Sequence, residues 1–284
     1  MRQAAIETPE ARPILKWAGG KQWLAAAAPR LIPTKWQGRY YEPFLGGGAI
    51  FFAVNPKRAT LADYNTELVD AYKALRESPQ KIVAQLRAYP HNKKFYYSLR
   101  GKSPRAPAMK AARLLYLNRT CWNGLYRVNR KGAFNTPFGR YKNPTICDSS
   151  RLQEASKRLR RATLLSRDFE KTVARVKRGD FVYFDPPYIT GHTNNGFLKY
   201  NAKLFSWSDQ ERLARVAIRL NRRGAYVLIS NANHPDVIDL YKGFSLYSVT
   251  RNSLLGSDKK SRGSIAEILL SNYALMGCKS EVIK

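Results

Sequence analysis

The sequence predicts an α/β protein, a doubly wound sheet carrying a basic and mostly helical insertion. Three observations predict it. From about residue 12 to 75, strand-like and helix-like stretches alternate. From about 76 to 161 the chain changes to helical runs broken by loops rich in Lys, Arg, Asn, Gly and Pro. From about 162 the alternation returns, and β and α elements in alternation imply a sheet with helices on its faces.

The elements follow in order. RYYEPF (39–44) reads as a strand, FLGGG as a loop and AIFFAVN (49–55) as a helix. RATLAD (58–63) is the second strand and NTELVDAYKAL (65–75) the next helix. After the insertion, ATLLSRD (162–168), DFVYFD (180–185), AYVLISN (225–231) and EILLSNY (267–273) read as strands. QERLARVAIRLNRRG (210–224) has the apolar spacing of an amphipathic helix among them. A chain of 284 residues suffices for one such domain with a sizeable insertion.

Charge narrows the function. Fifty Lys and Arg against 20 Asp and Glu leave a net charge of +30. The 76–161 block holds 21 basic and 3 acidic residues, so +18 of that excess sits in less than a third of the chain. So basic a protein is expected to meet a polyanion, most commonly nucleic acid. No basic amphipathic helix or long apolar run suggests a membrane. The first thirteen residues carry acids and lack an apolar core, so no signal peptide is expected. Cys121, Cys147 and Cys278 are odd in number and scattered, as are His91, His192 and His234. This argues for reduced thiols in a cytoplasmic compartment, with neither a disulfide framework nor a metal site.

Three short stretches carry candidate chemistry. In YYEPFLGGGAIFF a strand runs into Gly46, Gly47 and Gly48 before a helix, a turn that lets the backbone approach a ligand closely. It lacks the third glycine of a dinucleotide fingerprint, because Ala49, Ile50 and Phe51 follow Gly48. Asp63 ends the next strand, where an acid in doubly wound folds accepts hydrogen bonds from ribose hydroxyls. LKWAGGKQWL (15–24) is no phosphate loop, since Gln22 follows Lys21. It is either a surface turn anchored by Trp17 and Trp23, or a place where Lys21 meets a cofactor carboxylate and Trp17 its apolar part.

FVYFDPPY (181–188) is the most telling stretch: a buried strand stops abruptly at an acid, two prolines and a tyrosine. At the carboxyl end of a parallel strand these groups face the ligand crevice. Asp185 and the Pro186 carbonyl are acceptors, and Tyr188 is a flat surface. Together they suit a planar substrate with an exocyclic amine. Two fixed acceptors favour a pyramidal nitrogen with a localised lone pair and disperse the charge that builds during its attack. A sulfonium methyl group held in line is then transferred by direct displacement.

The order of K-W-A-G-G-K, E-P-F-x-G-G-G, a basic insertion and D-P-P-Y resembles the DNA adenine methyltransferases of the Dam-type, alpha-ordered family. The resemblance runs from about residue 13 to 272. It includes LYLNRTCWNGLYRVNRKGAFNTPFGRYKNP (115–144), DFEKTV (168–173), FSWSDQERLA (205–214) and VLISNAN (227–233). It implies a Rossmann-like methyltransferase sheet with an antiparallel strand near its end, for which EILLSNYAL (267–275) is the candidate. It also implies a catalytic domain of residues 1–75 and 162–284 and a target-recognition domain of 76–161.

By motif match, the resemblance implies S-adenosyl-L-methionine as cofactor. Trp17, Lys21, Glu42, Phe44, Gly46, Gly48, Asp63, Asp168, Phe169 and Asp185 would bind it, and Asp185, Pro186, Pro187 and Tyr188 would form the catalytic motif. Double-stranded DNA would be the substrate, with the target adenine flipped out of the stack. Trp122, Asn123, Leu125, Tyr126, Arg127, Asn135 and Pro137 match DNA-contacting positions, Arg127 being suited to the O6 and N7 edge of a guanine preceding the target. Cys121 and Trp122 stand where many GATC-modifying members carry an aromatic residue. ITGHTNNGFLKYN (189–201) belongs to a subgroup whose sites differ, so GATC is one option among sites with G before the target A. Cytosine-N4 methylation and a catalytically silent DNA-binding relative are the rival readings. A monomer or weak dimer, and a separate cognate restriction endonuclease, complete the expectations.

Overall fold

The computed structural model describes residues 12–188, 205–252, 264–277 and 281–283. The chain divides into two compact units. One comprises the chain up to Ala26, Gly46–Asn55 and Asn65–Ser166; the other comprises Ala27–Leu45, Pro56–Tyr64 and the chain from Arg167 onward. The expectations resting on the first eleven residues, on 189–201, on His192 and on Cys278 lie outside the described residues.

The first unit is built on helices α1 (Gln22–Ala25), α3 (Ala49–Val54), α4 (Thr66–Glu77), α5 (Pro79–Ala88), α6 (Lys93–Gly101), α7 (Pro107–Thr120) and α8 (Ser149–Leu159), with strand β3 (Ala162–Ser166). Their ends are written in the sequence. Asn65, Asn92 and Asp148 cap α4, α6 and α8 by accepting a main-chain N–H, and Pro79 and Pro107 open α5 and α7. The apolar stripes meet in a core of Leu68, Tyr72 and Leu75 from α4, Ile82 and Leu86 from α5, and Leu114 and Leu117 from α7. This unit takes in the whole of the 76–161 block, together with α3, α4 and β3.

The second unit holds helices α2 (Ala28–Leu31), α9 (Phe169–Val173), α10 (Trp207–Arg222) and α11 (Pro235–Ile238). Its strands are β1 (Tyr40–Glu42), β2 (Ala59–Asp63), β4 (Phe181–Phe184), β5 (Tyr226–Ala232), β6 (Ser245–Asn252), β7 (Ser264–Ser271) and β8 (Glu281–Val282). These seven lie in the order β2-β1-β4-β5-β7-β6-β8. The pairs β2-β1, β1-β4 and β4-β5 are parallel, whereas β7 runs antiparallel to both β5 and β6. The antiparallel strand expected near the chain's end is therefore β7. Strands β6 and β8 had no counterpart among the expected elements.

Side chains alternate between the two faces of this sheet, and the alternation sorts them by chemistry. One face presents Tyr41, Val182, Phe184, Val227, Ile229, Ile268 and Leu270, packed with Leu213, Val216, Ala217 and Leu220 of α10. The register Val182↔Val227, Phe184↔Ile229 and Ile229↔Leu270 puts these residues in line. Following the same ladder, Tyr40, Glu42, Tyr183, Ser230 and Glu267 occupy the opposite face. The second face still buries Leu61, Phe181, Leu228 and Leu269, but it sets acids and hydroxyls among them. Such a face is where chemistry is expected.

Candidate active site and DNA-reading loop

Asp185 follows Phe184, the last residue of β4, which pairs with Ile229. One step further along the ladder, Ser230 stands beside Asp185 and donates from Oγ to its Oδ1 at 2.7 Å. Tyr183, two residues back and on the same face, lies with its hydroxyl 3.0 Å from Ser230 Oγ. Pro186 is buried and ends the ladder, and Tyr188 turns back so that its hydroxyl donates to Glu267 Oε2 at 2.8 Å. On β1, Tyr40 donates to Glu42 Oε2 at 2.8 Å. Glu42 and Glu267 are 2% and 1% exposed, so each carboxylate depends on such a donor.

These bonds have an electrostatic signature. Burial, then the Asp185 charge, pushes the Tyr183 and Tyr188 hydroxyls well above the ordinary tyrosine range. Burial, then the Glu42 charge, does the same to Tyr40. All three phenols therefore stay protonated, and Tyr40 and Tyr188 donate to the carboxylates of Glu42 and Glu267.

Asp168 caps α9, accepting from the Glu170 N–H at 2.9 Å, and also takes two bonds from Arg212 of α10, at 3.0 and 2.8 Å. Partial burial raises its carboxyl, but Arg212 and the Glu170 N–H outweigh that and hold it below the usual range. Phe169 is buried, with the Arg212 guanidinium 4.2 Å above one ring and Phe44 stacked at 5.4 Å. Asp63 ends β2 with its side chain partly exposed.

The first unit contributes a second constellation. Gly46 and Gly48 take φ of 48° and 69°, a left-handed backbone that favours glycine, and Gly48 opens α3. A Cβ on Gly46 would stand 3.0 Å from the Trp17 indole. Trp17 in turn stacks on Tyr126 at 4.8 Å, and Tyr126 donates to Glu67 at 2.7 Å. Lys21 is 3% exposed and donates to the Gly19 carbonyl. The buried Asn118 of α7 accepts from Lys16 N and donates to the carbonyls of Lys16 and Gly124, tying the K-W-A-G-G-K stretch to N-G-L. Asn123, at φ 54°, and Gly124, at φ 64°, make the tight reversal between them.

From there the chain forms a hairpin-like loop, with bridges Cys121↔Phe138 and Val128↔Phe134. Trp122, Asn123, Arg127 and Pro137 are exposed on it, and Trp122 shows 49% of its surface. Leu125 and Asn135 are half-buried. Arg127 Nε donates to Asn135 Oδ1 at 2.9 Å, which fixes the plane of the guanidinium. Cys121 is fully buried, and burial pushes its thiol up to about 12, so it packs as a small apolar residue. Among the described residues no cluster of His, Cys, Asp and Glu could hold a metal ion, and no helix is long and apolar enough to cross a membrane.

The geometry thus gathers Glu42, Asp185 and Tyr188 on or beside one sheet face, and Trp17, Gly46 and Tyr126 in one cluster of the other unit. Tyr183, Ser230 and Glu267 were not singled out by the motifs. Period-two alternation through FVYFD and VLISN carried the signal, but only register makes Asp185 and Ser230 neighbours.

The family of D12 class N6 adenine-specific DNA methyltransferases matches residues 17–253. The chain belongs to that family. It is 39% identical to a type II methyltransferase of Lactococcus lactis subsp. cremoris, over 92% of this chain and 95% of the relative. A type II methyltransferase of Methanocaldococcus jannaschii is 35% identical, over 93% of this chain and all of the relative. A DNA adenine methylase of Vibrio cholerae is 33% identical, over 91% and 95%. The α/β methyltransferase sheet is consistent with the adenine-specific D12 family, which does not favour the cytosine reading.

Proposed function

We propose that this methyltransferase moves a methyl group to N6 of an adenine flipped out of duplex DNA, within a short site in which G precedes the target. The carrying observation is Asp185 at the end of β4, its carboxylate fixed by Ser230 while Tyr188 is held by Glu267. The amine donates to Asp185 and to the Pro186 carbonyl, and the purine stacks on Tyr188. Two acceptors polarise the amine and offset the positive charge it gains. Flipping costs a few kcal/mol of unstacking, to which phosphate contacts and Trp122 are opposed.

S-adenosyl-L-methionine supplies the electrophilic methyl group. The residues present fit it: an acid at the end of β2 for the ribose hydroxyls, a buried ammonium at Lys21 for the carboxylate, and a glycine turn whose Gly46 has no room for a side chain. Asp63, Asp168, Phe169, Phe44, Glu42 and Asp185 are proposed cofactor contacts, and Trp17, Lys21, Gly46 and Gly48 are further candidates by motif match. Asp168 is held in place by Arg212 and by the Glu170 N–H at the start of α9, beside Phe169, where the adenine end of the cofactor is proposed to lie. Arg127 reads the guanine, with Asn123, Leu125, Tyr126, Asn135 and Pro137 shaping the loop around it. A separate restriction endonuclease partner and action within the cytoplasm fit the names of the relatives.

The test is modification-aware sequencing of DNA from a methylation-free host expressing the chain. N6-methyladenine after G at one recurring site is expected, and N4-methylcytosine or unmodified DNA would overturn the proposal. Asp185→Ala should retain DNA binding and lose at least about 10²-fold in turnover.

A further inference from the structure

The buried hydroxyls of Tyr183 and Ser230 go beyond the motif roles. We infer that Ser230, backed by Tyr183, is a positioning residue that holds the Asp185 carboxylate for the target amine. The inference rests on the assignment of Asp185 as the acceptor of that amine.

The direction of every proton in this chain of groups is fixed by counting donors. An ionised carboxylate only accepts, so the single Ser230 hydroxyl proton points to Asp185 Oδ1, 2.7 Å away. Ser230 Oγ must then accept from Tyr183, 3.0 Å away. Tyr183 meets that requirement, because burial and the nearby Asp185 charge both keep its phenol protonated. The result is a one-way relay of dipoles, Tyr183 to Ser230 to Asp185, that terminates on the reacting carboxylate.

Its members are held by the sheet. Tyr183 and Asp185 are neighbours on one face of the β4 line, and Ser230 lies next to Asp185 in the β4-β5 register. Tyr183 and Ser230 are both buried, 1% and 0% exposed, so their rotamers are set by packing. A carboxylate offers about four acceptor directions, so the Ser230 bond orients Asp185 without exhausting it. Asp185 stands at the end of β4, and the two prolines after it cannot extend the ladder, so side-chain bonds such as that from Ser230 help to set the plane of its carboxylate.

Ser230→Ala and Tyr183→Phe test this in single-turnover methylation of duplex DNA, alongside Asp185→Ala and direct measurement of cofactor binding. Ser230→Ala should slow the single-turnover rate constant by about 10²-fold, the scale of a misplacement near 1 Å, with KM and cofactor Kd within about twofold. Tyr183→Phe, which preserves volume, should slow it by roughly tenfold in the same pattern. Wild-type rate constants in both variants would overturn the inference, as would losses confined to KM or cofactor Kd. If Ser230→Ala does not fold, Tyr183→Phe decides alone on the same criteria. An Asp185→Ala variant with near wild-type turnover would instead sink the assignment of Asp185 itself.

Discussion

Under the proposed function, Arg127 is the residue on which site selection turns. Its guanidinium is exposed, and Asn135 holds its plane, with the side-chain oxygen accepting from Nε and the carbonyl from Nη2 at 3.5 Å. A planar fork so fixed is pre-organised for the two acceptors of a guanine. Arg127→Ala should relax the requirement for the preceding guanine, at a cost of about 1–3 kcal/mol in discrimination. Asn135→Ala, which leaves the fork present but unheld, should cost less and act in the same direction. Competitive methylation of duplexes differing only at that base measures both, and unchanged selectivity in Arg127→Ala would show that another residue reads the guanine. Motif chemistry singled out Asp185, Arg127 and Asp63, because the type of each group alone states a ligand preference. Ser230, Glu267 and Asn118 were not legible. Their importance comes from bonds to partners 45, 79 and 102 residues away in the chain.

Between α9 and α10, a single arginine does the work of a joint. Arg212 bonds to Asp168, Glu170 and Asp209 and covers the face of Phe169. Burial pushes Asp168 and Asp209 up, but their bonds to Arg212 and to main-chain N–H groups leave both below the usual range; Glu170 is lowered chiefly by Arg219. A carboxylate with a lowered folded-state value stabilises the fold above its unfolded-state value, and that stabilisation disappears as the pH falls through the lowered one. The four side chains of the Arg212 group remain about a third exposed, so solvent screening limits the group to about 1–2 kcal/mol. Arg212→Ala should lower stability to urea by about that amount at pH 7, with the deficit closing in the acid range where these carboxyls protonate. A deficit independent of pH would assign the effect to lost packing on Phe169. The elements themselves were readable from the sequence: an Asn or Asp cap opens α4 and α8, and β4 is four consecutive apolar or aromatic residues. Strand β6, SLYSVTRN, mixes polar and apolar residues out of strict alternation, and only its pairing with β7 makes it a strand.

Over the whole molecule the +30 charge is unevenly spent, with +18 in the 76–161 block that contains the hairpin-like loop. Duplex DNA holds a condensed layer of counterions, and each phosphate neutralised by Lys or Arg releases them, so affinity falls with salt in proportion to the contacts made. Arg130 and Lys131 lie at the exposed tip of the same loop that carries Arg127, where Gly132 turns the chain with φ of 76°. No described ion pair joins them to a carboxylate, and under the proposed function they are candidates for phosphate rather than base-edge contacts. Two kinds of contact on one loop make separable forecasts. Replacing Arg130 and Lys131 together by Ala should weaken binding equally for cognate and scrambled duplexes and reduce the slope of log K against log salt by about 2. Arg127→Ala should instead narrow the gap between the two duplexes. Fluorescence anisotropy titrations across a salt series read both quantities at once. A double variant that kept the full slope would place the phosphate contacts elsewhere in the basic block.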